Sequence, residues 1–395
     1  MISGSSRRPR AWRGGRCAGW GLAVLSVALG LPAQAAPYVP ASDGAVLADL
    51  PAGARYTDLT ARRLAQGRLD VALPLAQFYI RQSRLTGDLR YLGYADAVLT
   101  PWLDRRPAVA DVLVLHATVQ QSRHEFDAAL ATLDQALRIR GDDPQALLTQ
   151  ATILRVLGRY AEAGASCERF SRLVEPRLAT LCTQSLRALT GQLDSAYATL
   201  QGVSTQGWLE GEKSWLCSEL GEMAMRLGRD ADAEHWFKQD LALAPADFYI
   251  RGAYADLLLR QGRAAEVLLL LRGQESFEPL LLRIAIAQQQ LHDPGLAQSR
   301  VRLEAAFAAE LQRGEAVHRR EQARFLLVVQ QQPQLALDAA RENWRVQREP
   351  DDALVLVAAA RAAGIPGVAA AALAVLRQAG DARLAGESPA AVAAR

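Results

Sequence analysis

His124-Glu125-Phe126-Asp127-Ala128-Ala129, leading into Leu133, Ala136 and Pro144, is answered one unit later by Gly158-Arg159-Tyr160-Ala161-Glu162-Ala163, leading into Cys167, Phe170 and Pro176. The two alanines that close these hexads, Ala129 and Ala163, are 34 residues apart. Within each unit the apolar residues recur three and four apart, the period of an amphipathic helix. A fixed interval of this length marks a supersecondary unit that cannot bury its apolar face alone and must stack on its neighbours. The stretch from Ala110 to Pro176 therefore predicts consecutive antiparallel helix hairpins.

The pattern continues in both directions. Gly191-Gln192-Leu193-Asp194-Ser195-Ala196 follows after 33 residues, Gly228-Arg229-Asp230-Ala231-Asp232-Ala233 after 37, and Gly262-Arg263-Ala264-Ala265-Glu266-Val267 after 34. The one long interval predicts an inserted loop around Gly202 to Gly211. Helices in close contact need small residues where their backbones approach. Ala117, Ala151, Gly221 and Ala255 supply them on the first helices, and Ala129, Ala163, Ala196 and Ala233 on the second. Leu113, Leu147, Phe126, Tyr160, Leu133 and Phe237 fill the spaces between. Most prolines fall between hairpins, where the missing donor costs little. No alternating apolar-polar run is long enough for a sheet strand.

The N-terminus reads differently. Arg7, Arg8, Arg10, Arg13 and Arg16 precede the apolar run Leu22 to Leu29, and Pro32-Ala33-Gln34-Ala35 follows. A basic start, a short apolar middle and small residues two apart describe a secretory signal peptide, with cleavage expected after Ala35. The apolar run is shorter than the roughly 20 residues a membrane span needs. Those five arginines more than account for the formal charge of +3, so the chain without them stands at −2. That removes the compositional case for nucleic acid as a partner. Arginine almost replaces lysine, with Lys213 and Lys238 alone, as in a high-GC bacterial genome.

The expected organisation is a signal peptide at 1–35, a flexible leader at 36–56, an irregular helical cap at 57–109, regular hairpins at 110–273, degenerate hairpins at 274–384 and a disordered tail at 385–395. The hairpins resemble the tetratricopeptide repeat (TPR) family. The tryptophan usual early in the first helix is replaced by Leu113, Leu147 or Cys217, and the leucine-glycine pair survives only at Leu220-Gly221. The resemblance implies an all-α, right-handed superhelical solenoid with its concave face lined by the first helices. It also implies scaffolding rather than catalysis.

On that expectation, the groove-facing residues include Gln121, Thr152, Arg155, Trp215, Glu222, Arg226, Tyr249, Asp256 and Arg260. Tryptophan, tyrosine and arginine combine large contact area with directed polar groups, the chemistry of protein interfaces. Arg155, Arg226 and Arg260 recur on successive units, in position to hold an acidic peptide. Cys167 and Cys182 lie at equal distances from the turn near Val174-Glu175, which is compatible with a disulfide, although two small buried core residues are the favoured reading. The odd Cys217 suits the second reading.

Enzyme signatures are lacking. The histidines His116, His124, His235, His292 and His318 are scattered without metal-binding spacing, and no Gly-x-Ser-x-Gly elbow or phosphate loop occurs. The sequence thus predicts no catalytic residue, no metal, no cofactor and no membrane span after signal cleavage. It predicts a periplasmic, non-catalytic scaffold that binds another envelope protein or peptide. The alternatives are secretion, or anchoring in the inner membrane by an uncleaved signal, for location. For function, the alternative is an accessory subunit of cell-wall or exopolysaccharide assembly or secretion that contacts a glycan.

Overall fold

The computed structural model describes residues 56–312 and 318–384, and side chains from residue 61 onward. The signal segment, all but the last residue of the expected leader, and the tail at 385–395 lie outside the described residues.

All regular structure among the described residues is helical. The cap consists of α1 (Tyr56–Ala65), α2 (Leu69–Thr86) and α3 (Arg90–Leu103). Five hairpins follow: α4 (Ala110–Ser122) with α5 (Phe126–Ile139), α6 (Pro144–Val156) with α7 (Tyr160–Ser171), α8 (Pro176–Arg187) with α9 (Leu193–Gln201), α10 (Glu210–Arg226) with α11 (Asp230–Leu243), and α12 (Phe248–Arg260) with α13 (Ala264–Leu270). The C-terminal part contains α14 (Glu278–Gln290), α15 (Leu296–Gln312), α16 (Arg319–Arg324, continued by a π-helical turn to Val329), α17 (Pro333–Val346), α18 (Pro350–Ala362) and α19 (Ala370–Gln378). Apart from α15 and α16, each helix packs on the next, which makes the chain a TPR-like solenoid of antiparallel hairpins.

The Gly-Arg signature is a helix stop. Gly158 and Gly228 both sit at φ +72°, the left-handed conformation that glycine adopts without a Cβ penalty. The next N–H then reaches back five residues, from Arg159 to the Leu154 carbonyl at 2.8 Å and from Arg229 to the Ala224 carbonyl at 2.9 Å. His124 makes the same turn at φ 60° in the first hairpin, with the Glu125 N–H on the Gln120 carbonyl. At the other end of each unit, proline opens α6, α8, α17 and α18, where no intrahelical donor is needed. Asp143 also caps α6, accepting the Ala146 N–H at 2.9 Å. Pro74 and Pro101 depart from the rule and lie inside α2 and α3.

The small-residue rows are the contact seams. Ala117, Ala129, Ala163, Ala196, Ala233 and Ala255 are all buried, and Leu133, Leu147 and Phe237 fill the space beside them. Burying one such side chain is worth about 1.5–3 kcal/mol. Helices α14 and α18 are buried on every side, from Pro279 to Ala287 and from Asp352 to Ala360. A helix apolar all round belongs inside a structure, not on its rim.

The C-terminal helices are inside because the solenoid closes on itself. The Arg348 N–H donates to the Val156 carbonyl at 2.7 Å, at the turn between α6 and α7. Gln378 abuts the next such turn at Gly191, and Ala382 the one after it at Gly228. Residues 348–382 therefore run across three successive hairpin turns. At the other end, Gly87 meets the ring of Phe277, in the loop before α14.

Gly221 gives a direct test of the seam. A Cβ added there would lie 2.5 Å from the fully buried Phe237 ring. Alanine gains about 1 kcal/mol in helix propensity over glycine, but overpacking costs about 1–3 kcal/mol. Gly221→Ala is expected to lower the urea midpoint, and Phe237→Leu in the same chain to recover part of the loss. A midpoint unchanged or raised by Gly221→Ala would contradict the close approach of α10 and α11.

Candidate binding cleft on the inner face

The inner face is built by α6, α10 and α12, and it is polar. Arg155, at the end of α6, donates to Glu219 of α10 at 2.8 Å. One turn further along α10, Glu222 accepts the Tyr249 hydroxyl from the start of α12. Arg226 follows after another turn. Arg155, Glu222, Arg226 and Tyr249 line one cleft of about 50 Å³. Its opposite wall comes from Arg320 of α16, Glu349 to Asp351 at the start of α18, and Arg383. Tyr249 is enclosed by these elements yet 51% exposed, because it faces the cleft rather than packed side chains.

The three arginines that recur along the first helices are not free on the inner face. Each of the three recurring arginines already has an acid or a carbonyl from its own chain. Arg155 has Glu219, with Glu349 at 4.0 Å. Arg226 binds the carbonyls of Ala188 and Ala379, at 2.6 and 3.3 Å, with Asp381 at 3.9 Å. Arg260 pairs with Asp230 at the start of α11. Asp256 is buried between Arg283 of α14 and Arg324 of α16, at 2.7 and 2.8 Å. Arg283 also approaches Glu321 at 3.6 Å, and Arg320 lies 3.5 Å from Glu321 and 3.6 Å from Asp352. The charges thus alternate along one line from α12 to α18.

The other candidate positions stand apart from the cleft. Gln121 is half-buried on α4. Thr152 donates to the Leu148 carbonyl of its own helix. Trp215 is partly buried against the core, and its Nε1 reaches Glu219 at 3.4 Å. The opposite wall was not among the sequence candidates. Its signal is present in Glu349-Pro350-Asp351-Asp352, a cluster of acids set directly before a run of buried apolar residues.

The fold also gathers aromatics that looked dispersed. Tyr79 on α2 meets Phe78, Tyr91 and Tyr94 with centroids 5.6–6.2 Å apart, and the Arg62 guanidinium lies 4.0 Å from the Tyr94 centroid. Phe78 and Tyr94 are exposed.

Cys167 and Cys182 are placed as a disulfide, with Cα atoms 5.9 Å apart on α7 and α8, while Cys217 is a buried free thiol. Burial, and then Asp240, push that thiol up to about 11, away from reactive thiolate chemistry. Three of the histidines are engaged within the chain, His116 with Asp96 at 3.1 Å, His318 with Glu310 at 2.5 Å and His124 with Gln347 at 3.1 Å. Among the described residues, no three His, Cys, Asp or Glu side chains gather as a metal site, and no helix is long and apolar enough to cross a membrane.

The cleft is sensitive to pH. Burial, with Glu219 adding to it, raises Glu222 to about 8, and burial and Glu349 raise Asp352 to about 7 against the pull of Arg320. Burial also acts on Asp351, but Arg383 and Arg320 outweigh it and hold that carboxyl at about 2. Burial would lower His318, yet the Glu310 contact outweighs it and raises the imidazole.

Glu222 and Asp352 bind a proton more tightly folded than unfolded, so the folded state loses stability as pH rises from the ordinary carboxyl range toward about 8. His318 acts in the same direction through its own raised value. Asp351 acts in the opposite sense, losing its contribution only as pH falls below about 4. Burial lowers His124 to about 4, which works against this trend below pH 6.5, so the comparison belongs above it: the melting temperature is expected to be higher near pH 6.5 than near pH 8, with a shallower slope in Glu222→Gln. A melting temperature that rises over that interval would contradict the protonated cleft.

The sequence matches no protein-family model, and no curated protein matches it. Solved structures do. Pseudomonas aeruginosa PilF is 18% identical over 63% of this chain and 95% of its own, with a TM-score of 0.32. The Cut9–Hcn1 hetero-tetramer of the APC/C is 15% identical over 76% of this chain and 51% of its own, with a TM-score of 0.38. A third match is a TPR domain, 15% identical over 68% of this chain and 83% of its own, with a TM-score of 0.25.

Proposed function

We propose that this chain is a non-catalytic scaffold of the bacterial periplasm that holds a segment of another envelope protein in the cleft around Tyr249. Solenoids of this fold generally mediate contacts between proteins. The observation that carries the reading is Tyr249 itself. It is half exposed between the inner helices and the start of α18, with guanidinium and carboxylate groups on both sides. An aromatic platform flanked by charges of both signs suits a short polar segment, since the ring supplies area and the charges supply register. Export is supported by the basic-apolar-small pattern of residues 1–35 and by the placement of Cys167 and Cys182, which suits an oxidising compartment.

A second reading attaches to a different surface. The exposed rings of Phe78 and Tyr94 are the kind of platform on which a sugar face stacks, so a glycan-contacting role would use the cap rather than the cleft.

The test is photocrosslinking in the native host, with a photoreactive residue at Tyr249 and a control at Arg169 on α7, which is exposed. The expected result is one discrete protein adduct from position 249, absent from the control and recovered in the periplasmic fraction. Adducts from the control alone, or none from either position, would overturn the cleft reading. Recovery in the cytosol with residues 1–35 retained would overturn export.

A further inference from the structure

A second cavity among the described residues lies away from the Tyr249 cleft, beside the shortest of the second helices. In the other central hairpins the second helix has nine to fourteen residues, but α13 has seven and stops at Leu270. Its neighbour α15 has seventeen. The part of α15 that α13 leaves uncovered, with the middle of α14 as a floor, encloses about 220 Å³. That is below the ~300–1,000 Å³ of pockets for drug-sized molecules, so its occupant is a small one.

The lining is graded in polarity. Leu268 and Ile284 form the apolar part, and Gln288, Gln298 and Ser299 form an amide and hydroxyl wall. Arg272, Glu275 and Arg302 complete the lining with three charges. Opposite charges face one opening, yet no ion pair joins them. The Arg302 guanidinium donates to the Glu275 backbone carbonyl at 2.6 Å and not to its carboxylate. Among the described residues the Glu275 carboxylate takes only the Gly273 N–H, at 3.1 Å. Gln288 Oε1 is buried with no hydrogen-bond partner, an unusual state for an amide oxygen. Gly295 keeps the wall open, since a Cβ there would come within 2.7 Å of Gln288.

From this arrangement we infer that the cavity between α13 and α15 binds a small zwitterion, an amino acid or dipeptide with an apolar side chain. Its carboxylate is held by Arg272 and Arg302, its ammonium by Glu275, its amide by the glutamine wall and its side chain by Leu268 and Ile284. Charge-assisted hydrogen bonds from arginine to carboxylate are among the strongest neutral-pH contacts a protein makes. The two signs on one opening select a molecule that carries both. This site shares no lining residue with the Tyr249 cleft and does not depend on it.

The probe is L-alanyl-L-leucine, titrated by calorimetry against the full chain at low salt. Two analogues accompany it, the C-terminal amide, which lacks the carboxylate, and the N-acetyl compound, which lacks the ammonium. The dipeptide is expected to bind in the millimolar range or better, and each analogue about tenfold more weakly, the worth of one hydrogen bond to a charged group. Arg272→Ala, an exposed loop substitution, is expected to weaken the dipeptide about tenfold while leaving the amide unchanged and the melting temperature without ligand unaltered. Glu275→Gln should act likewise on the dipeptide and spare the acetyl compound. No heat with the dipeptide, equal affinity for all three compounds, or indifference to Arg272→Ala would each overturn the assignment.

Discussion

A single carboxylate, Asp256, is shared by two guanidiniums from two later helices, Arg283 of α14 and Arg324 of α16. All three residues are buried. Taking such charges out of water costs several kcal/mol per ion, and their attraction returns it only when the geometry is good and the remaining polar atoms are bonded. Arg283 meets that condition with a further bond to the Pro279 carbonyl at 2.9 Å. The pair of bonds fixes three successive inner helices at one spacing. It also sets the register for the alternating line that continues through Glu321, Arg320 and Asp352. An apolar contact would tolerate sliding, whereas charges of alternating sign have one favourable alignment.

The fold-back of the C-terminal helices follows from that line. A helix apolar on every side, as α18 is, has to be enclosed, and it can enter a polar interior only if its own polar end finds partners there. Asp352 finds Asn343 at 2.8 Å and Asp351 finds Arg383 at 2.7 Å. The result is an inner face whose charges are answered within the chain, leaving one narrow cleft where they are not fully enclosed. Arg155, Glu222 and Tyr249 meet Glu349 and Asp351 across it. A binding surface of this kind is shaped by both ends of the solenoid, so changes in the C-terminal helices should be felt at the cleft.

Local features of this fold were legible in the sequence, and long-range ones were not. The Gly-Arg turns, the alanine seams and the interruption between Gln201 and Glu210 are all written within one repeat, and each appears where the intervals put it. Of the nine candidate positions, Arg155, Glu222, Arg226 and Tyr249 line the cleft. The sequence could not say what those residues meet. Gln347 touches His124 across 223 residues and Arg226 touches Ala379 across 153, and no periodicity records such pairs. For the same reason the partners of Arg155, Arg226 and Arg260 within the chain are not written in their spacing. The α13 cavity is a subtler case. The shortness of that helix is visible once the loop from Leu271 to Phe277 is known, but a repeat pattern draws the eye to what recurs.

The central claim is that residues 348–382 lie across the hairpin turns of the earlier repeats, and disulfide trapping tests it most directly. A Cβ at Gly158 would stand 3.4 Å from the Arg348 Cβ, close to the ~3.8 Å of a disulfide. In the double variant Gly158→Cys, Arg348→Cys, the left-handed backbone at position 158 costs the cysteine about 1–2 kcal/mol, less than a disulfide's ~2–4 kcal/mol, so mild oxidation should join the two positions as one cross-linked peptide pair. If both thiols stay open to alkylation in the folded protein, the C-terminal helices do not close the solenoid and the account fails.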